Sequence, residues 1–254
     1  MAGYSIQLDT PYGRFMMNRH DVFHPPHILQ TGMPFMHEEL GQLARIAELL
    51  PPAPVVVDAG ANFGLISVVL GRVVAPSGGT VIAFEPQRLI YYMLCANVAD
   101  AGLQNVICHQ LALGECQGRA VVPWLDPDQP ANFGNVTLTD EPQAGESVTV
   151  IALDDLGLTR LDLLKIDVET MELAVLAGAR ALIDTHRPLI WMEAWPEQYA
   201  AAMAWAQANN YLMMAADHLN FCMIPRERQS GLPLNFPPFD GINNPFRTQL
   251  QDSA

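Results

Sequence analysis

Basic charge is scarce in this chain. Thirteen lysines and arginines stand against 27 aspartates and glutamates, a formal charge of −14 at neutral pH. Gripping a polyanion takes clustered Lys and Arg, so a nucleic acid partner is excluded; a small molecule, a sugar or a protein fits better. The four cysteines, Cys95, Cys108, Cys116 and Cys222, include no C-x-x-C pair. They lie in apolar stretches and read as reduced core residues of a cytoplasmic protein. No apolar run is long enough to span a bilayer, and the basic-then-apolar start of a secretion signal is missing; no membrane partner is expected. What the chain does have is hydrophobic residues, 50% of 254. That is enough for a sizeable core, and the length allows one large domain or two small ones.

The organising stretch is Val55-Val56-Val57-Asp58-Ala59-Gly60-Ala61-Asn62-Phe63-Gly64. Three β-branched residues in a row read as a strand buried on both faces, as in a parallel sheet. An acid, two glycines and an apolar run at helical spacing follow, so the strand turns tightly into a helix. Glycines suit a sharp bend that a ligand approaches closely, and free N–H groups at a helix start favour a negative group. The G-x-G-x-x-G dinucleotide order is absent: Asp58 and Phe63 stand in its first and third glycine places, which disfavours a nicotinamide dehydrogenase. Downstream, Thr80 to Phe84 is a second buried strand ending at Glu85-Pro86. Glu85 falls where nucleoside-binding folds put a carboxylate on the ribose hydroxyls; it also reads as an acid before a Pro-started helix.

Taken in order, residues 3–17 read as a hairpin around Pro11-Tyr12-Gly13, and 36–50 as a helix packed across the sheet edge or over the ligand. His20, His24, His27 and His37 invite a metal reading. Pro25 and Pro26 break any helix that would put His20 and His24 on one face, so these are taken as solvated loop histidines and no metal site is assigned. Strand–helix units then run 55–74 and 80–101, with a third strand at 105–109. Residues 115–150 depart from this rhythm: two strands, 119–125 and 147–151, flank a polar, Pro-rich loop over 126–145. A loop that long inside a compact domain is a lid or binding loop, or else disordered; substrate binding is the preferred reading. Leu161 to Ile166 is a strand ending in Asp167. Lys165, Asp167 and Glu169 alternate with apolar residues at its C-terminal end, where ligands sit in open α/β sheets, and a helix follows to a Gly178 stop. Residues 189–193 form a fifth strand ending in Glu193, then come a helix over 196–209, a closing hairpin at 211–224 and a tail wrapping the surface.

The stretches Val57 to Gly64, Val81 to Pro86, Leu153-Asp154-Asp155-Leu156 and Leu164-Lys165-Ile166-Asp167-Val168-Glu169 resemble the FkbM family of S-adenosylmethionine (SAM) methyltransferases, over about residues 36–225. One departure stands out. The family has glycine after that Glu, where this chain has Thr170; the acid two residues on is kept as Glu172. The resemblance implies a Rossmann-like, mostly parallel α/β sheet with an antiparallel C-terminal strand and helices on both faces. It implies one domain over 1–254: an N-terminal hairpin and helix (1–50), a SAM-binding core (51–225) and a tail (226–254). SAM is the implied cofactor, with Asp58 on its ammonium, Gly60, Asn62 and Gly64 on the amino-acid end, Glu85 on the ribose and Leu111 and Ala112 around the adenine. Asp167 would lie beside the methionine moiety or the methyl, and Glu169 or Glu193 would serve as general base. The acceptor is expected to be a hydroxyl of a sugar, polyketide or similar small molecule, and a homo-oligomer is compatible with the sequence. Two other readings use the same residues: Asp167, Glu169 and Glu193 holding Mg²⁺ for the substrate oxygens, or a non-catalytic SAM- or nucleoside-binding module.

Overall fold

A computed structural model describes residues 3–240, 244 and 246. The chain starts as an antiparallel hairpin, β1 (Ser5–Thr10) and β2 (Gly13–Asn18), which buries Phe15 and Met17. Helix α1 (His24–Thr31) follows, with the two prolines in its first turn. No backbone N–H is needed there, so the pair starts a helix at His24. His20 remains outside it, and the two histidines share no helical face. The expectation of solvated histidines is corrected for His24, which is 4% exposed. Helix α2 (His37–Glu48) buries Leu40, Leu43, Ile46 and Ala47, the spacing read from sequence.

The strand–helix alternation then runs β3 (Val55–Ala59), α3 (Leu65–Val74), β4 (Thr80–Phe84), α4 (Arg88–Asp100) and β5 (Val106–His109). A separate three-stranded sheet, β6 (Ala112–Leu113), β7 (Gly118–Pro123) and β8 (Gly145–Ile151), accounts for the break in rhythm. The chain returns with β9 (Leu163–Ile166), α5 (Glu172–Gly178), α6 (Arg180–His186), β10 (Leu189–Glu193), α7 (Tyr199–Ala208), β11 (Tyr211–Ala215) and β12 (Asn220–Pro225). Gly178 does end α5. A Cβ on it would stand 2.0 Å from the Gly114 carbonyl oxygen, so the chain passes against the residue that follows β6 before α6 restarts.

The main sheet has the order β11-β12-β10-β9-β3-β4-β5, and β12 alone runs against its neighbours. Strand order reverses between β3 and β9, which is where ligands bind in open α/β sheets. Alternation along β3 feeds two cores. Val56 packs with α2, α3 and α4 on one face; Val57 packs with α5, α6 and α7 on the other. The tail lies along β11, where Ala215 N donates to Pro237 O and Phe239 N to Met213 O, covering that edge. The rest of the expected tail, apart from residues 244 and 246, is outside the described residues. No helix among the described residues is long and apolar enough to cross a membrane.

Candidate active site

Sheet register places a polar row inside the core. Asp58 on β3 and Trp191 on β10 are the cross-strand neighbours of Lys165 on β9. Period 2 turns all three to the face covered by α2. Lys165 is 1% exposed and Asp58 fully buried; Nζ stands 3.2 Å from Asp58 Oδ1 and 3.6 Å from Asp167 Oδ2, and donates to Gly60 O at 2.9 Å. Ser67 donates to the other Asp58 oxygen at 2.5 Å. From α2, Glu39 accepts Trp191 Nε1 at 2.9 Å. Burial alone would lower the Lys165 pKa; Asp58, Asp167 and Glu39 outweigh it and hold the ammonium above the usual lysine range. Helix α2 therefore covers this row on the sheet face.

The turn after β3 is folded onto the ends of its neighbours. Gly60 has φ +78, and a Cβ on it would lie 1.7 Å from the Asp167 carbonyl oxygen; only glycine fits this crossing. Gly60 N and Ala61 N both donate to Phe84 O, Asn62 N to Glu85 Oε2, Phe63 N to Asn62 Oδ1, and Gly64 N to Ala61 O. These five N–H groups of the turn are thus committed internally, and α3 begins just beyond them at Leu65.

A crevice with about 580 Å³ of empty space, part of it open to solvent, lies at the switch point. Gly60, Asn62, Glu85, Leu111, Ala112, Asp167 and Glu169 line it; Asp58, Gly64 and Glu193 do not. Gly64 packs instead against Leu94, 2.5 Å from its would-be Cβ. Glu85, 3% exposed, accepts Asn62 N at 2.9 Å and Gln87 N at 2.8 Å. A carboxylate takes about four hydrogen bonds, so about two acceptor positions stay open. Burial pushes its pKa up to about 7 against the pull of those N–H groups and Lys165.

At the other end, burial and the charges of Asp167 and Glu172 push Glu169 up to about 7. Glu193 is pushed up to about 10 by burial, the Asp167 charge and a hydrogen bond with Asp167. Lys165 is paired with Asp58 and Asp167, not with Glu169. Among the described residues no three His, Cys, Asp or Glu are arranged to hold a metal; Asp167, Glu169 and Glu193 do not form such a group.

The 126–145 loop, expected to bind substrate, contributes Gly134, Val136 and Leu138 to the wall, and sequence reasoning missed Val136, Leu138, Gln87 and Met171 there. Buried Phe133 anchors that loop: its N–H donates to Asp21 Oδ2 at 3.1 Å and its carbonyl accepts Gln87 Nε2 at 2.8 Å. Asp21 Oδ1 also accepts the N–H groups of Phe23 and His24, both at 2.8 Å, so the N-terminal segment braces the loop. Thr170, in the family's glycine place, has φ +81 and follows Glu169 at φ +53. The left-handed conformation is adopted without the glycine.

Sheet order and cavity place together define a Rossmann-like α/β protein of the methyltransferase type. The model of the Methyltransferase FkbM domain matches residues 58–219, and the chain belongs to that family. It is similar to Methyltransferase sdnD of Sordaria araneosa, 32% identical over 165 residues, covering 51% of this chain and 61% of that one. Methyltransferase 1 of Beauveria bassiana is 29% identical over 165 residues, covering 55% and 63%. The chain thus spans less than two thirds of the length of either relative. Among solved structures, the FkbM methyltransferase of Methylobacillus flagellatus superposes with a TM-score of 0.51 at 19% identity, over 67% of this chain and 43% of that one, a likeness of fold.

Proposed function

We propose that the chain transfers a methyl group from SAM to a hydroxyl of a small molecule such as a sugar or polyketide. The reading rests on one observation: the cavity lining carries three acids, Glu85, Asp167 and Glu169, and no basic residue. Such a lining suits a cationic sulfonium nucleoside and disfavours a pyrophosphate. The open acceptor positions of Glu85 suit the vicinal diol of a ribose. Leu111, Ala112, Val136 and Leu138 offer apolar walls to a flat base. Asn62 turns Oδ1 to the Phe63 N–H, which leaves its Nδ2 as a donor for the amino-acid end. Asp58 acts from behind, by holding the Lys165 that holds Gly60 O and Asp167.

SAM, when bound, supplies an electrophilic methyl with a good leaving group already in place. The chain's own residues align the acceptor, exclude water and receive a proton. The 133–138 loop segment closes one wall against water. Glu169, held up to about 7, is a better-matched proton acceptor than an ordinary carboxylate and takes the hydroxyl proton. Burial and the Asp167 charge disfavour the ionised form of Glu193, which suits it less to the base role. Calorimetric titration with SAM tests the cofactor, and conversion of SAM to S-adenosylhomocysteine (SAH) over a panel of hydroxylated sugars and polyketides tests the reaction. Glu169→Gln should bind SAM and lose turnover by about 100-fold. Absence of SAM binding removes the reading; full turnover in Glu169→Gln removes the base.

A further inference from the structure

Two turns carry the acids at the reacting end, and one side chain joins them. Gln198, just before α7, accepts Trp195 N at Oε1 (2.8 Å) and donates from Nε2 to Glu172 Oε2 (2.7 Å). Glu172, 3% exposed, accepts at Oε1 from Val168 N (3.3 Å) and Thr170 N (3.1 Å). Glu169 lies between those two captured N–H groups. Left-handed backbone is unfavourable for a non-glycine residue, and Glu169 and Thr170 both adopt it. Such a turn persists only where its surroundings over-determine it. Glu172 supplies that restraint. Gln198 supports it in one amide orientation only, because its Oε1 is already taken by the Trp195 N–H.

We propose that Gln198, acting through Glu172, is a positioning residue that holds Glu169 at the cavity wall. This rests on the cavity being the SAM site. Without the relay the 168–170 turn relaxes toward ordinary φ and carries Glu169 away. Asp167 stays, because Lys165 faces its carboxylate and its N–H donates to Ala59 O at 3.1 Å. The distinguishing mark is a change of charge at the reacting end with the nucleoside end intact.

The test uses the full chain and two ligands, SAM and SAH, which differ by the sulfonium charge. Both are titrated from about pH 5.5 to 8.5, a window bracketing a raised carboxylate. The charged groups facing Glu169 are Lys165 from β9, Asp167 just past the end of that strand, Glu172 from α5 and Glu193 from β10. In the wild type the SAM-to-SAH affinity ratio should rise roughly tenfold as Glu169 ionises, the effect of one unit charge near a cation at intermediate dielectric. Glu169→Gln should flatten that rise. Gln198→Met keeps the length and loses both hydrogen bonds; Glu172→Gln sets an amide against the Gln198 donor. Each should cut the rise by about threefold or more, an effect well above titration error, with SAH affinity unchanged and amide exchange over 168–172 faster. A wild-type rise in both variants overturns the relay, even if exchange is faster, because the relay then only stabilises the turn. An unflattened Glu169→Gln overturns it as well. If the wild type binds neither ligand, the SAM reading fails first, and the relay falls with it.

Discussion

Asp58 Oδ1 faces Lys165 Nζ at 3.2 Å in the core of the sheet, with no hydrogen bond of its own from any other group. The two residues are neighbours by register, 107 positions apart in sequence. Breaking a buried pair by removing one partner costs about 3–5 kcal/mol, whereas removing both charges is often nearly neutral. Lys165→Met should therefore lower the unfolding free energy by about 3–5 kcal/mol. The double variant Asp58→Asn/Lys165→Met should recover most of the loss. Urea denaturation reads both; a double variant no more stable than the single one would show that Lys165 works mainly through Gly60 O and Asp167.

Thr170 is exposed and β-branched at φ +81. Its side chain costs free energy in that conformation, and glycine removes the cost while adding flexibility to the unfolded chain. The first effect is the larger at so unfavourable an angle. Thr170→Gly should raise stability by about 1 kcal/mol, seen as a higher melting temperature. Thr170→Ala should gain less, because it keeps a Cβ. Equal melting temperatures for Thr, Ala and Gly would show that the turn is not strained.

Much of this architecture was legible because it is local. Val55 to Gly64 announces strand, turn and helix by hydrophobic period and glycine spacing, and the Lys165-Ile166-Asp167 alternation announces a charged strand end. Which acid faces the ligand was not legible. Asp58 and Glu85 both close apolar runs, yet Asp58 is the fourth residue of β3 and turns toward α2, while Glu85 follows the last residue of β4 and reaches the cavity. In the β3–β4 register Asp58 stands opposite Ala83, so Glu85 lies two residues further along, past the end of its strand. The wall formed by Gly134, Val136 and Leu138 has no period to betray it and depends on Phe133 meeting Asp21 and Gln87 from distant segments. Glu172 and Gln198 are likewise joined only by tertiary structure. Thr170 could be read as a departure from the family's pattern, but not as a residue that adopts the glycine conformation regardless.

Stability should fall as pH rises. Glu39, Glu85 and Glu169 titrate near 7 in the folded chain, and Glu193 near 10, in each case chiefly because burial disfavours the charged form. In the unfolded chain they titrate at about 4.3. Across that gap the folded state holds more protons than the unfolded one. Their contribution is then fully present below the unfolded value and is lost as pH passes through the folded values. Thermal melts should shift downward between about pH 5 and 8, and Glu193→Gln should reduce the slope above pH 7. A melting temperature that is flat or rising across this window would contradict the raised pKa values of these acids.

Glu85 offers the sharpest check on the ligand. Its carboxylate already takes two backbone N–H groups, from Asn62 and Gln87, so its removal both opens the turn and deletes the acceptors proposed for the ribose diol. Hydrogen bonds to a charged group are worth about 1.5–3 kcal/mol net. Glu85→Ala should thus weaken SAM and SAH alike, by about 10- to 100-fold in Kd. Glu85→Gln should be milder, because it keeps one acceptor oxygen. It would lose either the Asn62 or the Gln87 N–H, since an amide nitrogen cannot accept. The informative comparison is 2′-deoxyadenosyl homocysteine against SAH: the wild type should prefer SAH, and Glu85→Ala should lose that preference. Equal affinities in the wild type would move the nucleoside sugar away from Glu85 and leave the acid as a brace between the turn after β3 and the start of α4.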